Sequence, residues 1–212
     1  FFANVGGVNR RGAARFNTDG TLDASFDPGT IAFDNFSSVA LQTNGKILVG
    51  GAGRIPLVRL ESGGAADATF VPAYPTPDDS SVQVITVLPD GKILAGGQYS
   101  LGNGAYAGVA RFETTGARDL GFALQTLIED NTSPEVLSMD LAPNGKIVAT
   151  GNFYKVGSEA SVNKHIVRLN TDGMVDIGFS GSIEGYGSAR TIVEQPDGKI
   201  VELKNESLLG KP

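Results

Sequence analysis

Eight carboxylates stand in four segments that contain no lysine or arginine. They are Asp27 and Asp34 in DPGTIAFDNFSS (27–38), Asp78 and Asp79 in VPAYPTPDDSS (71–81), Glu129, Asp130 and Glu135 in ALQTLIEDNTSPE (123–135), and Glu184 in SGSIEGYGS (180–188). Paired acids of this kind can offer oxygen ligands to Ca²⁺, or act as acid and nucleophile on a glycosidic bond. Neither chemistry is supported by spacing. No D-x-D-x-D-G loop is present, and nothing sets two of the acids at a productive separation, so solvated loop charge is the preferred reading and no metal or cofactor is expected. The one histidine, His165, has no nucleophile pattern near it. G-x-S-x-G, the P-loop and H-E-x-x-H are all missing from the sequence. The expectation is a protein that is not an enzyme.

Aromatic and amide side chains are the other candidates. Tyr99, Asn103, Tyr106, Tyr154, Lys155 and Tyr186 are the ligand candidates, the tyrosines and amides combining flat apolar bodies with polar tips, the mixture that stacks on and hydrogen-bonds a sugar. For Tyr99 a packing role competes, because Phe2, Tyr99 and Phe153 occupy equivalent places in a repeat.

That repeat sets where all these residues fall. Thr43-Asn44-Gly45-Lys46, Pro89-Asp90-Gly91-Lys92, Pro143-Asn144-Gly145-Lys146 and Pro196-Asp197-Gly198-Lys199 are turn sequences between β-branched runs, each followed by isoleucine. Proline presets φ, Asn or Asp bonds back to the backbone, and glycine accepts φ > 0, so each closes a tight hairpin. A second hairpin recurs as ARFNTDGTLDASF (14–26), VRLESGGAADATF (58–70), ARFETTGARDLGF (110–122) and VRLNTDGMVDIGF (167–179). Within it Arg15 and Asp23, Arg59 and Asp67, Arg111 and Asp119, and Arg168 and Asp176 are eight apart. That spacing places them opposite each other across the turn, where an ion pair would hold register. Phe26, Phe70, Phe122 and Phe179 close each hairpin as plugs between neighbours. Four strands per period of about fifty residues is the pattern of propeller blades. The fold expected is therefore all-β, a β-propeller of four-stranded antiparallel blades.

With strands named a, b, c and d, the chain opens at the end of a b strand, supplies c–d, then three full units, and finishes with an a–b hairpin. The terminal halves add up to a fourth blade, and joining them would close a ring and hide two sheet edges. The rival reading is that these strands belong to a longer ring, and a ring left open would favour an oligomer. Residues 1–201 form the propeller domain in this reading. Residues 202–212 are an atypical tail, since Leu203-Lys204 stand where Gly50-Gly51 and Gly96-Gly97 stand earlier. The a–b and c–d turns share one face, and the longer b–c and d–a loops share the other, where binding residues usually sit. The d–a acids would ring the central mouth. Arg10, Arg11, Arg54, Lys155 and Lys164, with His165 nearby, would form a basic rim.

ALQTNGKILVGG, VLPDGKILAGG and LAPNGKIVATGNF, each followed by RLNTDG-x-x-D-x-x-F or a variant, resemble the bacterial delta-sixty repeat β-propeller family. The resemblance runs from Phe1 to about Val201. It implies a module of a large secreted or surface protein, hence an extracellular or cell-surface place.

Composition agrees with these limits. The chain has 212 residues, 41% hydrophobic, with 29 glycines and no cysteine, which excludes disulfides and thiolate metal sites. A net charge of −6 argues against nucleic-acid binding. No apolar run is long enough for a membrane-spanning helix. The chain does not begin with Met, which suggests a portion of something longer. The leading functional expectation is a structural or adhesive module that binds a protein or surface-glycan partner through the b–c and d–a loops. A lectin-like propeller is the alternative, followed by a glycosidase-like enzyme.

Overall fold

The computed structural model describes residues 4–10, 12–29, 35–53, 55–74, 80–101, 103–128, 134–156, 165–183 and 189–204. Its strands are β1 (Asn4–Val5), β2 (Val8–Asn9), β3 (Asn35–Leu41), β4 (Ile47–Ala52), β5 (Leu57–Leu60), β6 (Ser81–Val87), β7 (Ile93–Ser100), β8 (Tyr106–Phe112), β9 (Thr126–Ile128), β10 (Glu135–Leu141), β11 (Ile147–Asn152), β12 (Lys155–Val156), β13 (Ile166–Leu169), β14 (Ala189–Glu194) and β15 (Ile200–Lys204). All the ladders are antiparallel and no helix occurs among the described residues. The architecture is an arc of β-propeller blades.

The a–b hairpins are β3–β4, β6–β7, β10–β11 and β14–β15. Their turns form for the reasons the sequence predicts. Gly91 sits at φ +85°, and the Asp90 carboxylate accepts the Lys92 N–H at 3.0 Å. The same bond recurs at Asn44, Asn144 and Asp197. One strand up, each a strand bulges, between Val82 and Val84 for example. The repeated glycine pair has its cause here, because a Cβ on Gly97 would lie 2.1 Å from the Ser81 carbonyl.

Strand c follows as β5, β8 and β13, each paired with b. The fourth strand is short, meeting c through a single bridge: Phe16 to Leu22, Leu60 to Ala66, Phe112 to Arg118 and Leu169 to Val175. Each closing phenylalanine fills the gap to the next unit. Phe26 packs with Val49 and Leu60, Phe70 with Val82 and Ile93, and Phe122 with Val136 and Met139. Phe179 lies against Val148 and Ile192.

Among the described residues the terminal halves do not join, which corrects the expectation of a closed four-blade ring. Strands β1 and β2 make their own small sheet, and among the described residues β14 pairs with β15 alone. The reason is local. The Ile192 N–H donates to Ser138 Oγ at 3.2 Å and the Glu194 N–H to Asp140 Oδ2 at 2.7 Å, which seats β14 on β10. Ile85 N–H reaches Ser38 Oγ in the same way, so the same contact recurs at an earlier boundary between units. Strand β15 also runs through the boundary expected at residue 201.

Candidate functional site

The repeated charges belong to the scaffold. In all four c–d hairpins the arginine Nε donates to the aspartate Oδ2 at 2.7 Å. Each guanidinium also lies over its closing phenylalanine, 4.6–4.9 Å from the ring centre. A third partner was not foreseen. Lys46, Lys92 and Lys146, from the a–b turns, donate to the same oxygen of Asp67, Asp119 and Asp176 at 2.7, 2.7 and 2.8 Å. Lys92 and Arg111 together hold Asp119 down to about 2, and Lys146 with Arg168 does the same for Asp176. Lys46 and the Thr69 hydroxyl hold Asp67 well below the usual carboxylate range. Asp23 has no lysine beside it among the described residues; the Ser25 hydroxyl and Arg15 bring it to about 2. The repeated lysine was a visible signal, but its partner lies 21, 27 and 30 residues away, a separation too variable to read as a pair.

The candidate ligand residues divide. Tyr99 is wholly buried, stacked on Tyr74 at 6.2 Å and packed with Phe112. It is a core residue and no ligand reaches it, which corrects its place among the binding candidates. Phe153 is equally buried, as the packing alternative required. Asn103 is exposed and its side-chain oxygen accepts the Ala105 N–H at 3.1 Å, shaping the b–c turn that Leu101 N–H to Ala105 O closes at 2.9 Å.

Tyr106, Tyr154 and Lys155 come together on a ribbon that the sequence did not disclose. Part of the d–a loop forms β9, which pairs with β8 on one side and β12 on the other. Tyr106 is opposite Leu127, and Leu127 is opposite Val156; Lys155 is opposite Ile128. Directly paired residues share a face of a sheet. Tyr106 therefore points to the side of buried Leu127 and Val156, and Lys155 to the other, so these two do not converge on one pocket. Tyr186 lies outside the described residues, as do Phe2, Arg11, Asp34, Arg54, Asp78, Asp79, Glu129, Asp130, Lys164 and Glu184.

Of the expected acidic mouth, Glu135 accepts hydrogen bonds from Gln83 at 3.2 Å and Asn152 at 3.4 Å, joining two units. Asp27 stays exposed, 3.9 Å from Arg10. Arg10 is 6% exposed and donates to the Asn9 and Ala24 carbonyls, so it is a buried strut and not part of a basic rim. His165 is also structural. At φ 63° it turns the chain so that its carbonyl accepts from Thr150 Oγ1 and its N–H donates to Phe153.

An apolar hollow of about 460 Å³ lies beside the b–c turn of the third unit, lined by Ala73, Tyr74, Leu101, Arg118, Leu120 and Leu124. Leu120 is 78% exposed. The first two hairpins carry Ala24 and Ala68 at its position, a difference that could have flagged it. The hollow offers an apolar lining and one guanidinium at its edge, suited to an apolar side chain beside an acid.

Comparison with known proteins bears on the fold. The streptogramin B lyase structure is similar with a TM-score of 0.55 and 15% identity, over 84% of this chain and 50% of that one. PorZ, a bacterial surface component of the type-IX secretion system of Porphyromonas gingivalis, is similar with a TM-score of 0.52 and 10% identity, over 88% of this chain and 28% of that one. The chain thus spans half or less of the length of these structures. No curated protein matches it. A family model described as a domain of unknown function with a β-propeller fold, DUF5122, matches residues 1–26, 42–70, 88–122 and 142–179. Those segments make up more than half of the sequence and coincide with the repeated hairpins, so the chain belongs to the DUF5122 β-propeller family.

Proposed function

We propose that this chain is a non-enzymatic structural or adhesive module of a secreted or surface bacterial protein, binding a protein partner through the loops that vary between units. The hollow beside Leu101 and Leu120 is the observation that carries this reading. Its lining is apolar with one cation, which suits a peptide side chain better than the hydroxyl-rich edge of a sugar. The repeated ions are already engaged in holding the hairpins, which leaves the varied surface for recognition. The delta-sixty repeat resemblance supports the bacterial secreted setting, as does the likeness to a protein described as a surface component.

Panning the chain against a random peptide library tests the reading. Enriched peptides should pair an apolar residue with Asp or Glu, and Leu120→Glu should abolish their capture. Clear hits on a glycan array with no peptide enrichment would overturn it.

A further inference from the structure

Three Asn-Gly pairs stand in this sequence: Asn44-Gly45, Asn103-Gly104 and Asn144-Gly145. At such a pair a chain can expel its own side-chain amide. The glycine backbone nitrogen attacks the asparagine Cγ, an N–Cγ bond forms, the Cγ–Nδ2 bond breaks, and ammonia leaves with the glycine amide proton. Water then opens the cyclic imide at one of its two carbonyls, giving aspartate or its β-linked isomer, isoaspartate. The sum is asparagine and water to an acid and ammonia, with no oxidant, metal or second protein. Glycine is the most permissive neighbour because no Cβ obstructs the approach of its nitrogen.

By residue order the three pairs are equal, and their turns are alike. Gly45, Gly104 and Gly145 lie at φ +81°, +81° and +80°. The Asn44, Asn103 and Asn144 side-chain oxygens each accept the N–H two residues on, at 3.1, 3.1 and 3.0 Å. A backbone bond closes each turn, from Gln42 to Lys46, Leu101 to Ala105 and Ala142 to Lys146, at 2.9, 2.9 and 2.8 Å.

The differences fall on the nitrogen that must react. Gly45 N–H donates to the Gln42 carbonyl at 2.9 Å and Gly145 N–H to the Ala142 carbonyl at 2.8 Å, whereas the Gly104 N–H makes no such bond among the described residues. A hydrogen-bonded amide keeps its proton and its place, and attack requires it to give up both. The following residue differs too. Lys46 is tied to Asp67 and Glu61 at 2.7 and 2.8 Å, and Lys146 to Asp176 at 2.8 Å, but Ala105 has no side-chain group to tie. A Cβ on Gly145 would meet Thr171 at 3.0 Å and one on Gly45 would meet Ser62 at 4.0 Å, so both turns lean on the adjoining c–d turn. Gly104 is exposed and has nothing within 4 Å.

We propose that Asn103 is a self-modification site, converting to aspartate and isoaspartate in the folded protein while Asn44 and Asn144 stay intact. The a–b turns show that the direct acid product fits such a turn. Asp90 and Asp197 occupy the position of Asn44 and make the same bond at 3.0 and 3.1 Å. Isoaspartate does not fit, because it routes the backbone through the former side chain and takes the acceptor away from the Ala105 N–H. Leu101 closes this turn and lines the hollow, so conversion reshapes one wall of it. The reaction itself does not depend on what the hollow binds.

Incubating the 212-residue chain in mildly alkaline buffer, then digesting it for mass spectrometry, reads all three sites in one sample through the amide-to-acid mass gain. In the folded chain Asn103 should convert at least about tenfold faster than Asn44 and Asn144, the protection that a hydrogen bond and a tethered turn supply. In urea, where those restraints are gone, the three sites should convert at matching rates. Equal rates in the folded chain overturn the proposal, as does an Asn103 that stays an amide there while converting in urea. The same preference for Asn103 in urea overturns it too, since the selectivity would then lie in the local sequence and not in the fold.

Discussion

Asp67 shows how much one side chain carries in this fold. Its carboxylate is 2% exposed and takes bonds from Lys46, Arg59, the Thr69 hydroxyl and the Thr69 N–H. Replacing it leaves two cations facing each other with the anion gone. Asp67→Ala should therefore cost about 2 kcal/mol in a urea titration. Asp23→Ala should cost less, because no lysine is stranded. Tyr99 makes the opposite test. Its ring is buried and its hydroxyl has no hydrogen-bond partner among the described residues. Tyr99→Phe should leave stability unchanged or slightly raised by the same titration, and should leave ligand capture untouched; a loss of capture would return Tyr99 to the binding surface. The eight-residue spacing made the arginine–aspartate pair legible beforehand. The lysine was not, because it arrives from another hairpin across a loop of variable length.

At the scale of elements, the glycines of the c–d turns do more than allow a turn. Gly116 has φ +92°, and a Cβ there would come 2.8 Å from the Val71 carbonyl carbon of the preceding unit. Gly104, at φ +81°, has nothing within 4 Å. Both Gly→Ala changes incur the left-handed backbone cost of about 1 kcal/mol. Gly116→Ala should cost about 3 kcal/mol in total, since backbone must also move, and calorimetry of the two variants side by side measures the difference. Hairpins were legible because their turn residues act locally. Strand β9 was not, since Thr126–Ile128 has no pattern of its own and becomes a strand only because β8 and β12 present edges to it.

For the whole molecule, the four ion clusters predict a stability plateau with two edges. Asp23, Asp119 and Asp176 titrate near 2 when folded and near 3.8 when unfolded. A depressed folded value means that their contribution is complete above the unfolded value and is lost as protons bind on the way down. The melting temperature should therefore fall steeply between about pH 4 and pH 2. Lys46 and Lys92 are raised above 10.5 by their carboxylates, so their contribution holds below that value and fades as pH rises past it. A melting temperature that stays flat from neutral pH to pH 2 would show that the clusters contribute nothing to folding.

Repeat length, turn chemistry, the plug phenylalanines and the blade type could all be derived from residue order, because each depends on neighbours a few positions apart. Which aromatic is core and which is surface could not: Tyr99 and Tyr106 are seven residues apart on adjacent strands, one sealed under Tyr74 and one half-exposed. The eight acids and the tyrosines opened the functional question as sets of like residues. Tertiary structure dispersed the described ones, and it assembled a hollow from Leu101, Leu120 and Leu124 that no local pattern announces. The ends of the ring were equally undecided. Counting strands permits the terminal halves to pair, but whether they meet depends on curvature, and curvature is a sum over every packed interface.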